Sequence, residues 1–444
     1  MITTLPAPRR RAALVVVAAA TLALLGGTPA AAQEEPTITV DTTSDVVDFG
    51  GAQTVADLPG PDGQTSFREA TMASTNTAGP ETIAFDIPTS DPGFDGTGFT
   101  IGTAQGAADL TIGDDGTTID ATTQPGGFAI TLDGPGLDEF VRGLFVTSSG
   151  NSVIGLGVRE YSNGIQVQGS NNVITGVTAT GNRQGIWVNG GPTVRSGNEV
   201  TGNTVSDNSG FGVGVQTALD TLVDGNTIVR SGTRGVVIFN ADEVTVTDNL
   251  ISESAAHGID FQTETDFAFV PDPATRGGVA AGNTITGNGA FGIRVDGADR
   301  FTITRNVIAD NGRLGIDLSG GKQDAFGVTR NDSQDRDVGA NRRLNFPERL
   351  TAVDDGTATV VEGRVDFPDP QSLTIELFVN EAPDPSGHGE GETFVGTATP
   401  DAKGRFTATL PTGLAGQWIT ATATDSAGNT SEFSEAVLVS VPKK

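Results

Sequence analysis

The 444 residues include no cysteine, so neither a disulfide nor a thiolate metal site holds this chain together. Only two histidines are present, His257 and His388, far apart in sequence. That removes the imidazole sets on which zinc and copper centres are built. Aromatic residues are thin as well, with one tyrosine and two tryptophans. Basic residues number 26 against 55 acidic, a net charge of −29. Nucleic-acid binding depends on neutralising phosphates with Lys and Arg, so no nucleic-acid partner is expected. Nucleophile elbows, Gly-rich phosphate loops and dinucleotide fingerprints are missing from any fitting context.

Long apolar runs are also scarce. The one of note, Ala12 to Leu25, is too short to cross a bilayer. Preceded by Arg9-Arg10-Arg11 and followed by Ala30-Ala31-Ala32, it has the layout of an export signal. Residues 1–32 are therefore read as a signal peptide, with the Sec and twin-arginine routes both open. The mature chain then begins at Gln33 and is expected to be extracellular and monomeric, with no transmembrane segment. An acidic surface of this kind serves solubility, and it also suits divalent cations or neutral glycans.

What the chain does have is a repeat. Seven Gly-[Ile/Val]-x-hydrophobic tetrads begin at Gly164, Gly185, Gly212, Gly235, Gly258, Gly292 and Gly315, several of them 23 residues apart. In the last five an Asn stands nine residues before the Gly: Asn203, Asn226, Asn249, Asn283 and Asn306. Apolar residues flank each Asn and alternate at period two, as in Ile259 and Phe261 or Ile316 and Leu318; strands with one buried face need that pattern. Three short strands per repeat, with turns too short for helices, wind a coil that buries its apolar side by stacking on its neighbours. The fold class is all-β: a right-handed parallel β-helix over residues 111–345. The recurrent Asn is read as a stacked ladder at a turn, with the unusual backbone angles of the turn assigned to the Asn itself. The tetrad Gly is read as permitting a tight turn or a positive φ.

Residues 33–110 form an N-terminal cap and the first coils. Ser66-Phe67-Arg68-Glu69 is a capping box that opens a helix through about residue 75. Residues 350–444 change composition and read as a β-sandwich, with strands at Val360–Phe367, Leu373–Val379, Thr393–Thr399, Phe406–Leu410, Trp418–Thr424 and Ala436–Val441.

Several of these segments resemble known families. Thr65-Ser66-Phe67-Arg68-Glu69-Ala70 with Ile83-Ala84-Phe85 is similar to the CSLREA segment of bacterial exported β-helix proteins, with Thr65 in place of the Cys and Phe67 in place of the Leu. Thr118 to Gly126, Gly315-Ile316-Asp317-Leu318 and Asn345-Phe346-Pro347 resemble other stretches of the same group. Ala421 to Ser431 resembles bacterial immunoglobulin-like modules. The coil pattern as a whole looks like the pectin lyase-like fold, and the resemblance implies a polysaccharide lying along a groove.

On each tetrad strand the third and fifth residues point outward. The third-position column is Gln166, Trp187, Gly214, Val237, Asp260, Arg294 and Asp317; the fifth is Gln168, Asn189, Gln216, Phe239, Gln262, Asp296 and Ser319. Asp260, Arg294, Asp296 and Asp317 thus gather over three coils as candidate catalytic residues. Two of their carboxylates could form an acid–base pair, with Arg294 stabilising negative charge. Trp187, Asn189, Phe239 and Gln262 are candidates for sugar stacking and hydroxyl recognition. Insertions near Gly190–Gly197 and Thr263–Gly282 fall beside this face and would wall it.

Asp332, Asp335, Asp337 and Asn341 offer an oxygen-rich loop of the kind calcium prefers. Structural calcium is the one cofactor considered, against a plain acidic linker. Two functions follow. The first is a secreted structural or interaction protein that binds cell-envelope or extracellular polysaccharide along the β-helix. The alternative is a polysaccharide lyase, hydrolase or epimerase. A solvated surface of paired charges accounts for the same columns without either activity.

Overall fold

The computed structural model describes residues 35–49, 52–191, 193–262, 276–297 and 299–442. The export segment and residues 263–275 of the longer insertion lie outside them. Three parallel sheets of 12, nine and nine strands run up the chain in register, and the tetrad strands form the third. Ile186 pairs with Val213, Val213 with Val236, Val236 with Ile259 and Ile259 with Ile293. Residues a repeat apart are therefore neighbours roughly 4.8 Å apart across the sheet. The inward positions of all three sheets make one continuous core in which Val188, Val205, Val223, Ile238 and Phe261 are fully buried.

The corners explain the Asn signal. Asn203, Asn226, Asn249, Asn283 and Asn306 are all buried. Each backbone N–H donates to the Oδ1 of the next Asn at 2.9–3.0 Å, and each side-chain N–H donates to the same oxygen at 2.9 Å. The remaining amide proton goes to a carbonyl of the preceding coil, such as Val200 or Val223. One side chain thus satisfies the turn backbone of two coils, which buried N–H and C=O groups require. A second ladder, Asn182–Asn208 and Asn288–Asn311, occupies the next corner. A third, Asn151–Asn172–Asn198, opens the first sheet's strands.

Two backbone expectations need correction. The left-handed residue at the corner precedes the Asn: Gly202, Gly225, Asp248, Gly282 and Arg305 have φ from 52° to 67°. The tetrad glycines do not have positive φ; they are there for want of room. A Cβ on Gly235 would lie 2.3 Å from Ile251 Cγ2, and one on Gly258 would lie 2.4 Å from Ile285 Cγ2.

Helix α1, Phe67–Asn76, follows the capping box closely. The Ser66 hydroxyl accepts from the Glu69 N–H, and Glu69 returns the bond to the Ser66 N–H. Its buried face, Phe67, Ala70 and Ala73, joins the core, with the Phe67 ring 5.5 Å from that of Phe85. At the other end, two antiparallel sheets of three and four strands pack on each other through Val361, Ile375, Leu377, Phe406 and Ile419. Their first strand, Glu348–Asp354, lies outside the strand pattern read from the sequence, because only Ala352 and Asp354 along it are buried. Phe378 and Phe433 from the four-stranded side extend the core of the coil stack itself.

Replacing Asn226 with Ala removes the acceptor for Asn203 and the donors to Asn249 and Val200. Urea unfolding is expected to show a loss of about 3 kcal/mol, whereas Thr227→Ala on the exposed face beside it costs under about 0.5 kcal/mol.

Candidate functional site

The register brings the predicted column together. Asp260 pairs with Arg294 and Arg294 with Asp317 on successive tetrad strands, and Gln262 pairs with Asp296. All five residues share the outer face of the third sheet. Along the column the charges alternate, acid, base, acid, so each carboxylate has a guanidinium as its strand neighbour rather than a second acid. That order favours ion pairing over a shared-proton carboxylate pair.

Asp260 is fully buried. Its Oδ2 lies 2.8 Å from Arg234 Nε and accepts from Gln262 Nε2, while its Oδ1 is 3.6 Å from an Arg294 nitrogen. Arg294 also pairs with Asp296 and stands 3.9 Å from Asp317. Asp296 in turn accepts from the Ser319 hydroxyl. Asp317 is 3% exposed, and burial raises its pKa to about 6 despite Arg294. The picture of outward acids open to a ligand is therefore corrected for Asp260 and Asp317, which lie beneath their partners. Asp296, 42% exposed, and Arg294, 23% exposed, form the accessible part.

Three participants were not picked out from the sequence. Arg234, His257 and Phe291 all stand immediately before a tetrad Gly, in the same column as Asn163, Gln184, Phe211 and Leu314. The His257 ring stacks on Phe291 at 5.3 Å with 9° between planes, and burial lowers its pKa. The Arg313 guanidinium lies over the Phe291 ring, 5.5 Å from its centroid. The column was legible as the residue before each Gly, but its side chains differ too much in type to draw notice.

Toward the N-terminal end the same face changes character. Phe145, Trp187 and Phe239 are half-buried, and Gln168, Asn189 and Gln216 lie between and beside them. Trp187 packs edge-on to Phe211 with centroids 6.0 Å apart. Gly214 leaves the notch this needs, since a Cβ there would fall 2.5 Å from the Phe211 ring and 3.0 Å from Trp187. The Trp187 indole N–H is closed from solvent and has no acceptor among the described residues. Among the described residues, the Gln168 and Gln216 side chains make no hydrogen bond to the protein either, while Asn189 Oδ1 accepts from the Gly191 N–H at 2.9 Å. Gln166 of the third-position column is buried and accepts from Arg142 at 2.7 Å, beneath the strip rather than in it. Arg142 itself lies 4.3 Å above the Phe145 ring.

The acidic loop is separate. Carboxylate oxygens of Asp332, Asp335 and Asp337 come within 4.8 Å of one another; burial raises the pKa of Asp335 to about 7, and it moves Asp337 upward too. The donor type suits calcium, yet the loop uses two of these groups itself. Asp332 accepts from Arg336 N–H and Asp335 from Asn345 N–H. Asn341 has a different task from the one expected. Its amide holds both backbone groups of Phe301 and the Thr430 carbonyl, closing the end of the first sheet.

Comparison with known proteins places the coil stack. A family model described as right handed beta helix region matches residues 142–270. No curated protein matches the sequence. Among solved structures, a double mutant of the periplasmic alginate epimerase AlgG aligns with a TM-score of 0.40 and 14% identity, over 57% of this chain and 67% of that one. The A-module of the Azotobacter vinelandii mannuronan C-5 epimerase AlgE4 gives 0.34 and 16%, over 59% and 93%. Tailspike protein 2 of bacteriophage CBA120 gives 0.36 and 9%, over 90% and 76%. No helix among the described residues is long and apolar enough to cross a membrane.

Removing the buried carboxylate should be felt mainly as instability. Asp260→Ala leaves Arg234 and Arg294 facing each other without their shared acid, and a loss of about 3–5 kcal/mol is expected by chemical denaturation. Asp296→Asn, at the exposed edge, should change stability by less than about 1 kcal/mol.

Proposed function

We propose that this chain is an exported interaction protein that binds a neutral, hydroxyl-rich polysaccharide along the third sheet. The strip from Phe145 through Trp187 to Phe239 spans five strands, roughly 19 Å. Half-buried aromatic faces stack on the apolar faces of sugar rings, and side-chain amides exchange hydrogen bonds with their hydroxyls. The observation that carries the reading is the strip itself, in which the half-buried Phe145, Trp187 and Phe239 rings stand beside Gln168 and Gln216, whose side chains make no hydrogen bond among the described residues. The two C-terminal sheets, read as an immunoglobulin-like module, complete the extracellular architecture.

One observation favours the enzymatic alternative, a lyase, hydrolase or epimerase. Asp317, with its pKa raised to about 6, and Asp296 both flank Arg294, so a carboxyl able to give up a proton near neutrality stands beside a cation and an exposed acid.

A panel of neutral polysaccharides should retain the protein in affinity electrophoresis, with and without calcium. Trp187→Ala should weaken retention at least about tenfold, the loss of one aromatic contact of about 1.4 kcal/mol. Retention unchanged in that variant would remove the strip as the binding face. Reducing ends or unsaturated sugars appearing in the same mixtures, and lost in Asp296→Asn, would replace binding by catalysis.

A further inference from the structure

Every interior coil satisfies its corner N–H groups with the coil that follows, so the last coil has no such partner. The C-terminal sheets supply one. Asn288 donates from its backbone and its side chain to Asn311 Oδ1, at 3.1 and 2.9 Å. Asn311 repeats the same two bonds to Glu390 Oε1, at 3.2 and 2.9 Å. A carboxylate oxygen thus stands where the amide oxygen of a further coil would be. Backbone pairing continues beside it, with Ile308 and Gly391 exchanging bonds of 2.9 and 3.1 Å.

Two further glutamates take donors from the ends of the last coil's strands. Glu376 accepts from the Thr304 hydroxyl at 2.6 Å and from the Arg305 N–H at 3.0 Å. Glu432 accepts from the Leu318 N–H, the Thr329 N–H and the Thr329 hydroxyl, at 2.8–3.0 Å. Three glutamates thus meet the last coil, Glu390 at a ladder position and Glu376 and Glu432 at the ends of the first and third sheets, and all three are buried.

Few charges offset them. The Arg305 guanidinium faces Glu376, Asp384 faces Glu390 and Asp317 faces Glu432. His388 lines the gap beside Glu432, with its Nδ1 turned to the Phe433 carbonyl at 3.2 Å, and its backbone lies opposite that of Glu435. Two of the three carboxyls thus sit in apolar surroundings with an acid for company. We propose that the C-terminal module is a proton-linked substitute for the next coil, docking tightly while Glu390 and Glu432 are neutral and loosening as they ionise.

The bonding can host the neutral form. The Thr329 hydroxyl lies 3.1 Å from Leu318 O and 3.0 Å from Glu432 Oε1. It can turn its proton to Leu318 and accept the one on Glu432. Burial moves the pKa of Glu432 to about 8 and that of Glu390 to about 7, and raises Glu376. Folded-state values above the ordinary glutamate range of about 4.3 stabilise docking fully below that range. The stabilisation is lost as pH climbs through the values near 7 and 8.

Hydrogen exchange on the full-length protein, read by mass spectrometry and corrected for intrinsic rates, tests this. Between about pH 5 and about pH 8.5, protection of segment 303–319 should fall on the order of tenfold relative to the inner segment 223–229. The Glu390→Gln/Glu432→Gln double variant keeps accepting oxygens without ionising, and should abolish the difference. Equal behaviour of the two segments in the parent protein, or a drop that persists in the double variant, overturns the proposal. Should the double variant fail to fold, Glu390→Gln alone takes its place. The drop around Asn311 then disappears if the proposal holds and stays if it fails.

Discussion

Parallel coils can stack only if each turn finds hydrogen-bond partners that its own sheet strands do not provide, and the corner asparagines meet that demand. Their side chains bond along the stack, so each amide carries the turn of one coil and receives the turn of another. The in-register pairing of the sheets, the continuous core and the columns on the outer faces all follow from holding those turns at a single spacing. The left-handed residue before each Asn, such as Gly225 or Asp248, aims the amide into line. The tetrad Gly then lets the third strand close against Ile or Val side chains that leave no space for a Cβ.

A ladder of this kind has two ends, and the chain treats them differently. At the N-terminal end α1 lays Phe67, Ala70 and Ala73 over the first coil, with its own first turn satisfied by Ser66 and Glu69. At the C-terminal end the exposed donors are too many for one helix, and the answer is a set of carboxylates, two amides and Thr430 drawn from distant loops. Asn429 accepts from Arg300 N–H, Thr430 from Ile303 N–H and Asn341 from Phe301 N–H. The two antiparallel sheets are thereby bound into the coil stack, with Phe433 pressed against the last tetrad glycine, Gly315.

The third sheet's outer face divides along its length. One part holds aromatic and amide side chains whose hydrogen-bonding capacity is partly unused; the other is a network of paired charges in which Asp260 Oδ1 alone of its carboxylate makes no hydrogen bond. Asp260 lies between Arg234 and Arg294 and is closed from solvent, which makes it a support for the face, whereas Arg294 and Asp296 remain at the surface.

Much of this was legible in the residues themselves. The Asn and Gly intervals gave the coil, the three strands and the register that joins Asp260, Arg294 and Asp317, because a repeat converts spacing in sequence directly into neighbourhood in space. The Ser66–Glu69 box gave α1 for a local reason, since a cap involves only its own first turn. Burial was beyond reach: alternation says which side of a strand a residue faces, but whether Asp260 meets water there depends on Arg234 from another coil. The role of Asn341 and of the three terminal glutamates was likewise decided only by the fold. Glu390 and Asn311 are 79 residues apart and meet because the chain turns back on its own last coil, a contact with no period to announce it.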